Sequence, residues 1–190
     1  MTILIVLLSI GLVIGIIGTF TRISPSKSKL RVTRDETRFP IVSGYNLNRE
    51  ELEFPTDFAG EFNLVIVPFK QYQQNIVNTW IPIAQQLEQV HPGFIYYELP
   101  TIYEMPSFSR TFINEGMRVG IPDRKARERT ITLYLDKEIF KSALDIGTED
   151  EIYLFLVDTA GQIYWRSSGG FSEPKAGELI EVLKALRNNL

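Results

Sequence analysis

From Ile3 to Phe20 the chain carries no charge; Ile, Leu, Val and Phe fill most positions, interrupted by Ser9, Gly11, Gly15, Gly18 and Thr19. As a helix rising ~1.5 Å per residue, this run covers roughly 27 Å, close to the ~30 Å hydrocarbon core of a bilayer. Residues 1–20 therefore read as a transmembrane anchor. One alternative is a signal peptide cut near Ser24-Pro25-Ser26, but Met1-Thr2 lacks the basic start that such a peptide carries. The other is a core helix, which a uniformly apolar circumference disfavours. Residues 21–43 are polar, basic and without sustained periodicity, and read as a juxtamembrane linker able to touch anionic headgroups.

Beyond the linker the pattern alternates between strand and helix periods. Gly44–Asn48 and Glu51–Pro55 read as short extended pieces around a turn, and the apolar run Phe62–Phe69 has the length and β-branching of a central strand. Ile76, Trp80, Ile83, Ala84, Leu87 and Val90 fall on one helical face, closed by His91-Pro92-Gly93. Pro82 sits inside that helix, where a kink is expected. A strand over Phe94–Leu99 follows, then helical spacing at Phe108, Phe112 and Ile113, a charged loop over Gly120–Arg129, a strand over Thr130–Leu135 and a short helix over Lys137–Leu144. Glu151–Val157 and Gln162–Arg166 read as a hairpin closed at Asp158-Thr159-Ala160-Gly161, and Glu173–Asn188 as a final helix burying Leu179, Val182, Leu183 and Leu186. This order predicts an α/β sandwich with a mixed central sheet over residues 44–190.

Composition narrows the chemistry mainly by subtraction. With no cysteine, the chain lacks disulfides, thiolate nucleophiles and Cys-ligated metal centres. Thiol–disulfide exchange and thiol peroxidase activity are excluded. The net charge of −3 supplies no global basic face for nucleic acid. Five cations, Arg22, Lys27, Lys29, Arg31 and Arg34, follow the apolar run and none precedes it. By the positive-inside rule this places the body on the cytoplasmic side, with an extracytoplasmic body as the alternative.

Strand, helix, strand, helices, strand, hairpin and helix, with Asp-x-x-Gly at the hairpin, resembles the thioredoxin-like superfamily over residues 44–188. In that superfamily the first helix opens on Cys-x-x-Cys with a proline five residues later, and a cis-proline precedes the hairpin. Aligned on Pro82, the resemblance puts Gln74 and Val77 at the thiol positions and Ile152 at the cis-proline position. More narrowly, Thr79-Trp80-Ile81-Pro82, Gly120-Ile121-Pro122 with Arg129-Thr130, and Leu156-Val157-Asp158 with Gly161–Trp165 are similar to the mitochondrial ATP synthase assembly-factor family. Those proteins are chaperones for a membrane subunit, although an N-terminal anchor does not define them. The resemblance implies a redox-inactive helper in assembling a membrane complex.

Candidate contact residues are the basic cluster Arg118, Arg124, Lys125, Arg127 and Arg129, which suits an acidic partner or lipid headgroups. Trp80 and Phe108 belong to an aromatic set, with Tyr72, Tyr96, Tyr97 and Tyr103, that reads either as a client groove or as core. His91, the one histidine, sits at a helix end and suits capping better than ligation. Glu149-Asp150-Glu151 lacks the spacing of a cation loop, and Gly169-Gly170 lacks the residues of a phosphate loop. The expectation is a membrane-anchored, non-enzymatic body with no cofactor, whose partners are the bilayer and a membrane-protein client. The alternative is an enzyme or small-molecule binder using a non-thiol site.

Overall fold

The computed structural model describes residues 37–188. The apolar run over residues 1–20 and the linker as far as residue 36 lie outside the described residues. The folded body includes Arg38 and Phe39, earlier than expected. Phe39 is core, its N–H donates to Gly161 O at 2.8 Å, and Arg38 bridges to Gln162. Residues 37–43 are therefore part of the body, because a buried phenylalanine ties them to the hairpin turn.

Among the described residues, eight strands form two four-stranded sheets. The first runs β2 (Glu51–Phe54), β1 (Val42–Asn46), β6 (Ile131–Leu135), β5 (Thr101–Tyr103). The second runs β4 (Phe94–Glu98), β3 (Phe62–Val67), β7 (Tyr153–Val157), β8 (Ile163–Ser168). β3 lies parallel to β4 and antiparallel to β7, so the sheet is mixed. The sheets join at Leu99-Pro100. Leu99 N–H donates to Ile66 O (2.8 Å) and Thr101 N–H to Pro68 O (2.9 Å). On the other side Leu133 N–H donates to Pro100 O at 2.9 Å, and Glu98 bridges to Thr130.

Every residue of β3 is buried, and strand alternation sends its side chains to two cores. Leu64 and Ile66 face α1 (Gln74–Val90) and α5 (Glu173–Arg187), with Trp80, Leu87, Leu154 and Leu183. Val65 and Val67 face a second core with Phe39, Phe54, Phe58 and Phe155, covered by α4 (Lys137–Ala143). α1 runs through Pro82 and buries Val77, Trp80, Ala84 and Leu87; of the stripe its spacing predicts, Ile76 and Ile83 are partly buried at the edge of the core and Val90, at the helix end, is exposed.

The crossover from β5 to β6 holds α2 (Ser107–Gly120) and α3 (Arg124–Arg129). The second corrects the expected loop over Gly120–Arg129. Asp123 caps α3, its Oδ1 accepting from Ala126 N–H at 2.7 Å, and this supplies the start that a run of charges does not advertise. β5 was also unexpected, being three residues next to Pro100. Among the described residues no helix is long and apolar enough to cross a membrane.

Candidate functional site

The end of the sheet where β3 stops and β7 starts is where the thiol positions fall. After β3 the chain makes a turn of 3-10 helix, Gln71–Gln73, and enters α1 at Gln74. Gln73 is fully buried, and its amide works as a suture. Its Oε1 accepts from the N–H groups of Phe69 (2.7 Å) and Lys70 (3.1 Å), and its Nε2 donates to Glu149 O at 2.8 Å. Lys70 Nζ pairs with Asp150 Oδ1 at 2.7 Å across the same gap. The loop after β3 and the loop before β7 are thereby tied together by polar bonds beside the apolar packing of Phe69 and Ile146.

Gln74 stands at the first thiol position and spends its amide on Glu98 Oε2 and Asn78 Oδ1, each at 3.1 Å. Val77 at the second is fully buried in the α1 core, as is Ile152 at the cis-proline position, so neither reaches solvent. Glu98, at the end of β4 and 8% exposed, is the carboxylate that Gln74 contacts. Burial pushes its pKa up, against the hydrogen bond from Gln74. The neighbouring acids are already committed. Burial would raise the pKa of Glu149, but hydrogen bonds from Lys137 (2.5 Å) and Lys141 (3.1 Å) outweigh it and hold the carboxyl below its ordinary value.

The expected contact residues divide between core and surface. Trp80 is fully buried, its Nε1 donating to Gly169 O at 3.0 Å and its ring packed edge-on against Trp165 and Phe171. Arg129 is 8% exposed, bound through both terminal nitrogens to Glu88 and lying over the Tyr96 ring at 4.8 Å. The hydrogen bond from Arg129 holds the Glu88 carboxyl below its usual range despite partial burial. Both side chains are spent on contacts within the body, Trp80 on Gly169, Trp165 and Phe171 and Arg129 on Glu88 and Tyr96. Of the aromatic set, Tyr96 and Tyr97 are also buried, on opposite faces of β4. His91 caps α1, its N–H donating to Leu87 O at 2.8 Å.

The remaining residues gather on the crossover. Phe108 is 84% exposed; Arg124 and Lys125 are exposed, with Lys125 Nζ 3.3 Å from Glu88. Arg127 Nη2 donates to Pro122 O at 2.9 Å, and Arg118 lies 3.9 Å from Glu115. α2 itself buries no residue. Sequence reasoning missed Phe112 (77% exposed) and Val119 (84%) as surface, although Phe108, Phe112 and Val119 share a helical face by spacing alone. Beneath α2, against β1 and β6, lies an open groove of about 470 Å³ lined by Arg110, Asn114, Arg118, Thr132 and Tyr134 among others. Its charges are largely matched: Arg49 and Arg118 reach Glu115, and Arg110 reaches Glu104. Burial pushes the Tyr134 phenol up to about 12. Among the described residues no group of three or more His, Cys, Asp and Glu is placed to hold a metal ion.

Solved structures of the same architecture bear directly on this geometry. BsSco, a member of the Sco family of cytochrome c oxidase assembly proteins, aligns over 82% of this chain and 96% of its own, at 11% identity and a TM-score of 0.53. The fold is thioredoxin-like. The exposed lipoprotein thioredoxin of Streptococcus pneumoniae aligns over 76% of this chain and 98% of its own, at 10% identity and 0.50. A yeast Sco protein solved with copper bound aligns over 79% and 94%, at 11% identity and 0.50. No protein-family model and no curated protein matches the chain. Likeness at this identity extends to the thioredoxin-like fold and not to the activity of any neighbour.

Proposed function

We propose that this protein is a redox-silent, membrane-tethered thioredoxin-like binding protein that helps assemble a membrane protein complex. The observation that carries the reading is the replacement of the thiol site by a closed polar suture: Gln74 and Val77 occupy the thiol positions, and Gln73 bonds the two loops shut. A site that keeps its loops in register without a reactive group retains a shape and gives up a reaction. Copper binding of the kind found in the yeast Sco protein finds little to use, since copper favours thiolate, thioether and imidazole ligands and the chain has no cysteine and one histidine. The tether is the apolar run Ile3–Phe20, and the five cations after it favour a cytoplasmic body. The short motifs shared with the ATP synthase assembly-factor family, and two solved neighbours from a family of oxidase assembly proteins, support an assembly role. The client-facing surface is α3, where Arg124 and Lys125 are exposed.

The test is a crosslinking pull-down from membranes with the intact chain and with Arg124→Glu, Lys125→Glu and Arg127→Glu combined. A specific membrane complex, recovered with the intact chain and lost with the variant, supports the reading. Recovery of no partner by either chain overturns it and directs attention to the groove beneath α2 as a small-molecule site.

A further inference from the structure

α2 turns its large apolar side chains outward. At 100° per residue, Phe112 lies about 40° and Val119 about 20° from Phe108, so the three form one stripe roughly 17 Å long, with Gly116 beside it. All three are at least three-quarters exposed: Phe108 84%, Phe112 77% and Val119 84%. The opposite side of the helix carries Arg110 and Asn114 over the groove, and there Arg110 Nε donates to Met105 O while Asn114 Oδ1 accepts from Tyr134. The helix is thus anchored by polar contacts and amphipathic toward solvent. In a soluble body the apolar face normally turns the other way.

We propose that α2 lies in the interface of an anionic bilayer, with Phe108, Phe112 and Val119 at the boundary between headgroups and acyl chains. The proposal rests on the tethered reading above. Three observations favour lipid as the occupant. The stripe sits on a convex helix with its groove on the other side, and a fluid acyl boundary needs no shape complementarity, unlike a protein partner, whose anchors fill pockets. The segment Glu104–Arg129 holds six cations and four acids; Arg110, Arg118 and Arg129 pair with Glu104, Glu115 and Glu88, which leaves the exposed Arg124 and Lys125 on the crossover to complement anionic headgroups. Only sixteen residues separate Phe20 from Thr37, so on the tethered reading the body stays close to the bilayer. A body held that close meets the bilayer at an effective concentration on the order of millimolar, so a stripe of modest affinity suffices.

The absence of cysteine makes a site-specific test straightforward. The full chain carrying Gly116→Cys is labelled with the fluorophore NBD and reconstituted into phosphatidylcholine vesicles with and without phosphatidylglycerol and with doxyl-labelled lipid as quencher. A Cβ at Gly116 meets nothing within 4 Å, and the same holds at Gly147, on the loop after α4, which serves as the control. The expected result is a blue-shifted label at 116, quenched several-fold more than at 147, strengthened by phosphatidylglycerol and abolished by Phe108→Ser, Phe112→Ser and Val119→Ser together. A chain that floats with the vesicles while 116 stays in water overturns the docking of α2 and leaves the tether standing. A chain that does not float overturns both. Protection at 116 that rises with protein-to-lipid ratio assigns the stripe to a second copy, and protection that needs added membrane protein assigns it to a client; each overturns the lipid proposal.

Discussion

Helices α1 and α2 are comparable in length, at seventeen and fourteen residues. α1 commits its aromatic residue, Trp80, to the interior; α2 leaves Phe108 and Phe112 in solvent. α1 also carries the thiol positions, which are sealed, whereas α2 covers a groove that stays open. The contrast separates a helix spent on the interior from one that keeps its apolar side chains outside. The end of the fold around Gln73 serves stability, and the crossover leaves Phe108 and Phe112 exposed.

Substitutions on the two helices should therefore differ sharply. Trp80→Ala removes a fully buried indole with a hydrogen bond to Gly169 O and should cost about 3–5 kcal/mol in a denaturant titration. A loss below about 1 kcal/mol would mean that the α1 core repacks around the gap. Arg129→Met keeps much of the stem packing over Tyr96 but leaves Glu88 without its main partner, at a cost of about 2–3 kcal/mol given that the pair is only partly buried.

Glu98 gives a smaller effect with a defined pH signature. Its folded pKa is raised by burial above the ordinary 4.5, so the folded state holds the proton more tightly than the unfolded chain. Its contribution is fully present below the unfolded pKa and is lost as pH rises through the folded value. Glu98→Gln should match the wild type in acid and exceed it in stability toward neutral pH. Parallel stability curves from pH 4 to 8 would show that Glu98 is not desolvated. The smallest effect belongs to α2: Phe108→Ser with Phe112→Ser should leave stability within about 0.5 kcal/mol, and a larger loss would show that the stripe packs within the body.

The helical face of α1, the central run of β3 and the final hairpin were legible because burial there follows a simple period. The body's start was not, since Phe39 sits among charged residues and its burial depends on the distant turn at Gly161. Trp80 and Arg129 were read as contact residues because an aromatic or a cation has the same pattern whether it faces a partner or the interior. Through Pro82 the resemblance put Gln74 and Val77 at the thiol positions, but the role of Gln73 beside them was not legible. Gln73 is a polar residue whose burial depends on Glu149, far away in sequence. Phe112 and Val119 carried a readable signal, their spacing from Phe108, which a search for inward-facing stripes passes over.

The joint at Leu99-Pro100 has a consequence for how the molecule comes apart. A single stretch of chain, Phe94–Tyr103, supplies a strand to each sheet, and the amides of Leu99, Thr101 and Leu133 are bonded across the break. Neither half can release its share of that stretch without exposing the other's hydrogen bonds, so the body has no seam along which to open. Amide exchange at these three positions should follow global unfolding alone, and a force or a chaperone pulling on either end would meet the whole structure at once.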